Sequence, residues 1–205
     1  MVNLIKSNYM FGYIEGYYGR LLNWDERKKI VKKLKSLNMK FYFYAPKEDI
    51  FHRKFWRKKY PNEWVKKFKL FTKFSHHNDI QIIAGISPGL DFDYSSIINK
   101  DKKNLLVSND LKKLLEKCIF FEKQGVKFVA LLFDDIPKSF SNKNKYHSEG
   151  TTHALIANKL NSKLKRPIFV VPRVYADELC SDSPNYLDDF FSTLSSNIKV
   201  FYTGR

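Results

Sequence analysis

Two adjacent carboxylates, Asp134 and Asp135, close the run KFVALLFDDI between Lys127 and Ile136. Phe128 to Phe133 is a continuous apolar run of the kind shown by parallel strands covered on both faces, and Pro137 blocks its extension. The two acids therefore stand at a strand's carboxyl end, where α/β proteins and barrels gather their ligand-binding loops. Side by side, two negative charges repel. The repulsion raises at least one pKa, so that such a pair offers an ionised and a protonated carboxyl at one pH, the minimum set for general acid and base catalysis. The same pair also suits a solvated turn, or an Asp capping the next helix.

The elements that must position these acids follow from hydrophobic periodicity. Strand-like runs recur at Phe11 to Glu15, Lys40 to Ala45, Ile80 to Ile86, Lys127 to Phe133, Pro167 to Val171 and Ile198 to Tyr202. Helical patterns separate them. Trp24, Ile30, Val31, Leu34 and Leu37 share one face behind an Asn23/Glu26 capping box. A second helix starts at Pro61 with Trp64, Val65, Phe68, Phe71 and Phe74 inward, and a third runs from Ser108 to a stop at Gly125. A weaker pattern covers Thr151 to Leu164. The fifth takes Ser183 as cap, Pro184 at its first position, and Leu187, Phe190, Phe191 and Leu194 as its buried stripe.

Strands alternating with helices imply a parallel sheet with right-handed crossovers. The chemically distinctive residues fall just after the strands: Glu15 and Gly16, Pro46 and Lys47, Ser87 to Gly89, Asp134 and Asp135, Arg173 and Tyr175, Thr203 and Gly204. Chemistry collected along one whole face fits a TIM-type barrel better than an open sheet, whose loops would cluster at one switch point. One domain over 1–205 is expected, with the polar stretch Ser139 to Gly150 as a mobile loop.

Composition bounds the partners. A chain of 205 residues, 43% hydrophobic and 16% aromatic, has material for one substantial core. Its formal charge of +16 raises the question of a polyanion, but the lysines spread over the polar faces of several helices, as in Lys28, Lys29, Lys32, Lys33 and Lys35. A lysine-rich solvated surface is expected rather than nucleic-acid binding. There is no Gly-rich phosphate loop, zinc-ligand spacing or ribonucleoprotein-type aromatic motif, and no cofactor is expected. The two cysteines, Cys118 and Cys180, imply no disulfide framework, and no apolar stretch is long enough to span a membrane. A cytoplasmic location, away from membranes, is the expectation.

The post-strand strings GYIEGYYGR, YAPKED, ISPGLDFD, LLFDDI and VVPRVY resemble, in order and over nearly the whole chain, the O-GlcNAcase and bacterial β-N-acetylglucosaminidase family, glycoside hydrolase family 84. The resemblance implies a (β/α)8 barrel and a retaining, metal-free hydrolase acting on terminal β-linked N-acetylglucosamine of glycoproteins or glycosides. It implies substrate-assisted catalysis, in which the sugar's 2-acetamido oxygen attacks the anomeric carbon to give an oxazoline. By position in the motif, Asp134 would orient the acetamide and Asp135 would act as general acid, then base. Gly16 would lie against the sugar, Lys47 would donate to a ring hydroxyl and the nearby carboxylate, Tyr175 would hold the acetamido oxygen, and Thr203 would sit near the pocket floor.

Two departures stand out. Arg173 and Val174 replace the Thr-Glu commonly found before that tyrosine, and Arg205 follows the sixth of eight expected strands. About six strands of the barrel are therefore expected here, with open edges prone to self-association and with activity of the isolated chain in doubt. The alternatives are a sugar-binding barrel remnant, a basic nucleic-acid-binding protein, or a metal-assisted phosphoryl enzyme using both aspartates as ligands.

Overall fold

The computed structural model describes residues 11–97, 108–136, 147–164, 166–181 and 183–203. Pro137, Gly204 and positions 139–146 of the polar loop lie outside the described residues. The order is β1 (Gly12–Glu15), α1 (Trp24–Ser36), β2 (Phe41–Tyr44), α2 (Asn62–His77), β3 (Gln81–Ile86), α3 (Asn109–Lys123), β4 (Phe128–Leu132), α4 (Glu149–Leu164), β5 (Phe169–Val171), α5 (Tyr186–Thr193) and β6 (Lys199–Val200). Every strand pairs in parallel with the next, in sequence order β1 to β6.

The sheet curls into part of a TIM-type barrel. In a flat sheet β2 and β6 would lie roughly 19 Å apart, at about 4.8 Å per strand. Instead the Phe43 and Phe201 rings stack across the concave side, centroids 5.2 Å apart. Alternation along each strand sorts the side chains. Phe43, Ala45, Ile83, Ala130, Leu132 and Phe169 form the inner core, whereas Tyr42, Tyr44, Ile82, Ala84, Val129, Leu131 and Val170 face the helices.

The helix caps match expectation at three ends. The Asn23 side chain accepts from the Asp25 and Glu26 amides while Glu26 reaches back to the Asn23 amide, Ser108 caps α3, and Gly125 ends it with φ 90°. The last helix differs. It begins at Tyr186 behind Asn185, and Ser183 has another use, accepting a hydrogen bond from Arg173. Its buried face is Tyr186 and Phe190, four apart, which leaves Phe191, one step round the helix, 50% exposed. Leu37 is likewise the exposed C-cap of α1 rather than part of its buried stripe.

Candidate active site

Strand alternation builds the site before any long-range contact is considered. Gly12, Ile14 and Gly16 point inward from β1, Phe41, Phe43, Ala45 and Lys47 from β2, and Leu132 and Asp134 from β4. At the carboxyl ends these side chains converge on a cavity of about 330 Å³. All six positions singled out from sequence line it: Gly16, Lys47, Asp134, Asp135, Tyr175 and Thr203.

Asp135 would face away from the cavity in a continued strand. Its φ of 55° puts it in the left-handed region, which Asp tolerates better than most residues, and the turn brings it round to the same cavity. The Arg53 guanidinium holds its carbonyl there. Lys47 Nζ lies 2.5 Å from Asp134 Oδ2 and 2.9 Å from Asp135 Oδ2, with the Lys47 side chain only 3% exposed. One ammonium thus bridges both carboxylates.

The bridge changes the electrostatics expected from two adjacent acids. Burial pushes the Asp135 carboxyl up, but the Lys47 hydrogen bond and charge, the Tyr18 hydroxyl and the Arg53 charge together outweigh it, and the net shift is downward. Like-charge repulsion does not decide its protonation in the free chain, because a cation sits closer than the neighbouring carboxylate's effect can overcome. Lys47 itself is penalised by burial yet shifted upward by the two aspartates, and it stays charged. Burial raises the Tyr175 phenol, and the negative charges of Asp135 and Asp134 raise it further, so its hydroxyl keeps its proton for donation. The Thr203 amide donates to the Tyr175 carbonyl at 2.8 Å and closes the far wall.

Not every residue after a strand belongs to the site. Glu15 points outward and is 1% exposed, held by the Arg27 guanidinium and the Tyr42 hydroxyl. Arg173 is paired with Glu149, and Ser87 is fully buried, away from the cavity lining. Sequence reasoning missed Tyr18 and Arg53. The Tyr18 hydroxyl donates to Asp135 Oδ2 at 3.0 Å and accepts from Arg53 at 2.7 Å. Tyr18 was reachable from its place two residues after Gly16; Arg53 carried no local signal.

An acid pair bridged by a lysine at the carboxyl end of β4, in a curled parallel sheet, defines a (β/α) barrel of the carboxylate-pair type. The chain belongs to the beta-N-acetylglucosaminidase family, whose model matches residues 11–205. It is 31% identical over 204 residues to Protein O-GlcNAcase of Rattus norvegicus and, equally, of Mus musculus, covering 96% of this chain. The chain spans about a fifth, 21%, of the length of these curated relatives. Among solved structures it resembles CpGH84B, with a TM-score of 0.78 and 28% identity over 95% of this chain and 33% of the other. A mutant of the Thermobaculum terrenum O-GlcNAc hydrolase gives 0.80 and 28%, covering 95% of this chain and 41% of the other.

Proposed function

We propose that the chain carries the acid pair of a retaining β-N-acetylglucosaminidase that cleaves terminal β-linked N-acetylglucosamine, with the sugar's own acetamido oxygen as nucleophile. The observation that carries this reading is Asp134. Its Oδ2 is bound by Lys47, while Oδ1 is buried with no hydrogen-bond partner among the described residues. A buried carboxylate oxygen without a donor is costly, and an acetamide N–H entering the cavity relieves that cost. Among the described residues that line the cavity, the two aspartates are also the only carboxylates. An ordinary retaining enzyme needs a separate nucleophile about 5 to 5.5 Å from its acid, on the far side of the sugar, and neighbours in sequence suit substrate assistance instead.

In this reading the acetamido oxygen bonds to the anomeric carbon as the glycosidic C–O bond breaks, and Asp135 delivers a proton to the departing oxygen. Asp134 accepts the acetamide N–H and opposes the positive charge that develops there. Water then opens the oxazoline and gives its proton back to Asp135. The acid form of Asp135 has to be generated on binding. A sugar hydroxyl that engages Lys47 weakens the bridge that keeps the carboxyl ionised, and loading the site therefore favours proton uptake. The relatives named O-GlcNAcase and O-GlcNAc hydrolase support N-acetylglucosamine as the sugar.

Rates on aryl glucosaminides carrying acetyl, monofluoro-, difluoro- and trifluoroacetyl groups test the proposal. Withdrawing electrons from the attacking oxygen is expected to slow turnover steeply along the series. A flat response, or a sugar trapped covalently on Asp134, would refute it. Self-association belongs to the same proposal: β1 pairs only with β2 and β6 only with β5 among the described residues, and Phe11 and Ile14 are 58% and 51% exposed. Sedimentation that finds only monomer at micromolar concentration removes this part.

A further inference from the structure

On the helical layer, outside the carboxylate cavity and sharing none of its lining residues, a second cavity of about 290 Å³ lies between α2, α3 and the segment that precedes α2. Its apolar wall is Tyr60, Val65 and Phe120. Into it opens Lys117, whose residue is 6% exposed and whose Nζ lies 4.3 Å over the Tyr60 ring and donates to the Lys58 carbonyl at 2.6 Å. Among the described residues no carboxylate forms an ion pair with it. The neighbouring charges are otherwise engaged: Lys113 with Glu116, Arg57 with Asp91 and Asp110, and the buried Asp49 with the Tyr44 and Tyr60 hydroxyls. Lys58 and Lys59 are exposed at the rim.

We propose that Lys117 is a site of covalent acylation, taking short acyl groups from small acyl phosphates. The neutral amine attacks the acyl carbonyl carbon, the carbon–oxygen bond to phosphate breaks, phosphate departs as an anion, and the surplus proton goes to solvent. Lys58 and Lys59 attract the anionic donor and its leaving group. The product fits the site better than the reactant does, since an amide keeps one N–H for the Lys58 carbonyl and removes a charge that has no carboxylate partner. A compact acyl group also has room in the cavity.

Burial, opposed only by the attraction of Asp49, lowers the amine to about 8. Roughly a quarter of it is then neutral at pH 7.5, against about one part in a thousand for an ordinary lysine. Restricted access offsets much of that advantage.

The test uses the full chain, acetyl phosphate as donor, and peptide mass spectrometry to follow each lysine separately. At pH 7.5 Lys117 is expected to be acetylated about tenfold faster than the median exposed lysine. Lys58→Gln combined with Lys59→Gln is expected to cut that rate about threefold with acetyl phosphate but to leave it unchanged with neutral p-nitrophenyl acetate. A Lys117 rate at or below the median overturns the site. An equal response to both donors overturns the assignment to acyl phosphates. Val65→Phe, which fills the cavity and leaves the amine in place, is expected to slow Lys117 alone, and an unchanged rate would show that the cavity is not the route.

Discussion

The Glu15–Arg27 pair anchors the end of β1 immediately before Gly16 enters the cavity, and its removal has a calculable consequence. The two side chains are 1% and 2% exposed, and Arg27 reaches Glu15 through Nη2 at 2.8 Å and Nε at 3.0 Å. Arg27→Met preserves much of the volume and the contact with the Trp24 and Tyr44 rings but leaves a buried carboxylate facing only the Tyr42 hydroxyl. Breaking a buried pair in this way costs about 3–5 kcal/mol. Glu15→Gln alone leaves the guanidinium uncompensated and costs a comparable amount. In the double variant no buried charge remains, and the residual cost is that of imperfectly paired neutral groups, about 1–3 kcal/mol. The single losses sum to about 6–10 kcal/mol, so the cycle should show a coupling of at least ~3 kcal/mol. Urea unfolding followed by circular dichroism measures each arm, with the midpoint shifting at constant slope. If the two losses simply add, the pair does not act as a unit and the account of β1 fails.

Asp135→Asn is expected to depress turnover most for glycosides with poor leaving groups and least for activated aryl glycosides; equal loss across a leaving-group series would remove Asp135 from the general-acid role. Because the folded Asp135 carboxyl lies below its ordinary 3.8, its contribution to stability is present above that value and lost as pH falls through the lower folded one. Urea midpoints taken from about pH 5 to about pH 2.5 should therefore fall more steeply for the parent than for Asp135→Asn, and parallel curves would contradict the shift. Gly150→Ala should destabilise by about 1–3 kcal/mol despite the better helix propensity of Ala. The added Cβ would sit 2.2 Å from the Tyr186 carbonyl oxygen and 2.9 Å from the Phe190 nitrogen, and a thermal melt unchanged by the substitution would mean that α4 and α5 pack less closely than the structure shows.

Element type and order were legible because they depend on local spacing. The apolar run Phe128 to Phe133 and the alternation through Phe41, Phe43 and Ala45 follow from which face of a strand each side chain takes, and the Asn23/Glu26 box closes within one helical turn. The same alternation places Gly16, Lys47 and Asp134 on the concave face. The start of α5 was not legible, because Ser183 is claimed by Arg173, whose guanidinium also binds Glu149 at the start of α4 and whose amide donates to the Tyr186 hydroxyl, partners brought together by the tertiary fold rather than by adjacency. Glu15 and Lys47 make the same point from opposite sides. Both are charged residues near strand ends, yet one is turned outward onto Arg27 and the other inward between two aspartates, 87 residues away in sequence from Asp134. What the sequence alone determined, then, is which residues stand at the carboxyl ends of the strands. Only the tertiary structure decided the direction in which the Asp135 carboxyl shifts, because protonation responds to whichever opposite charge lies within a few ångströms. Lys47, Tyr18 and Arg53 reach Asp135 only once the sheet has curled.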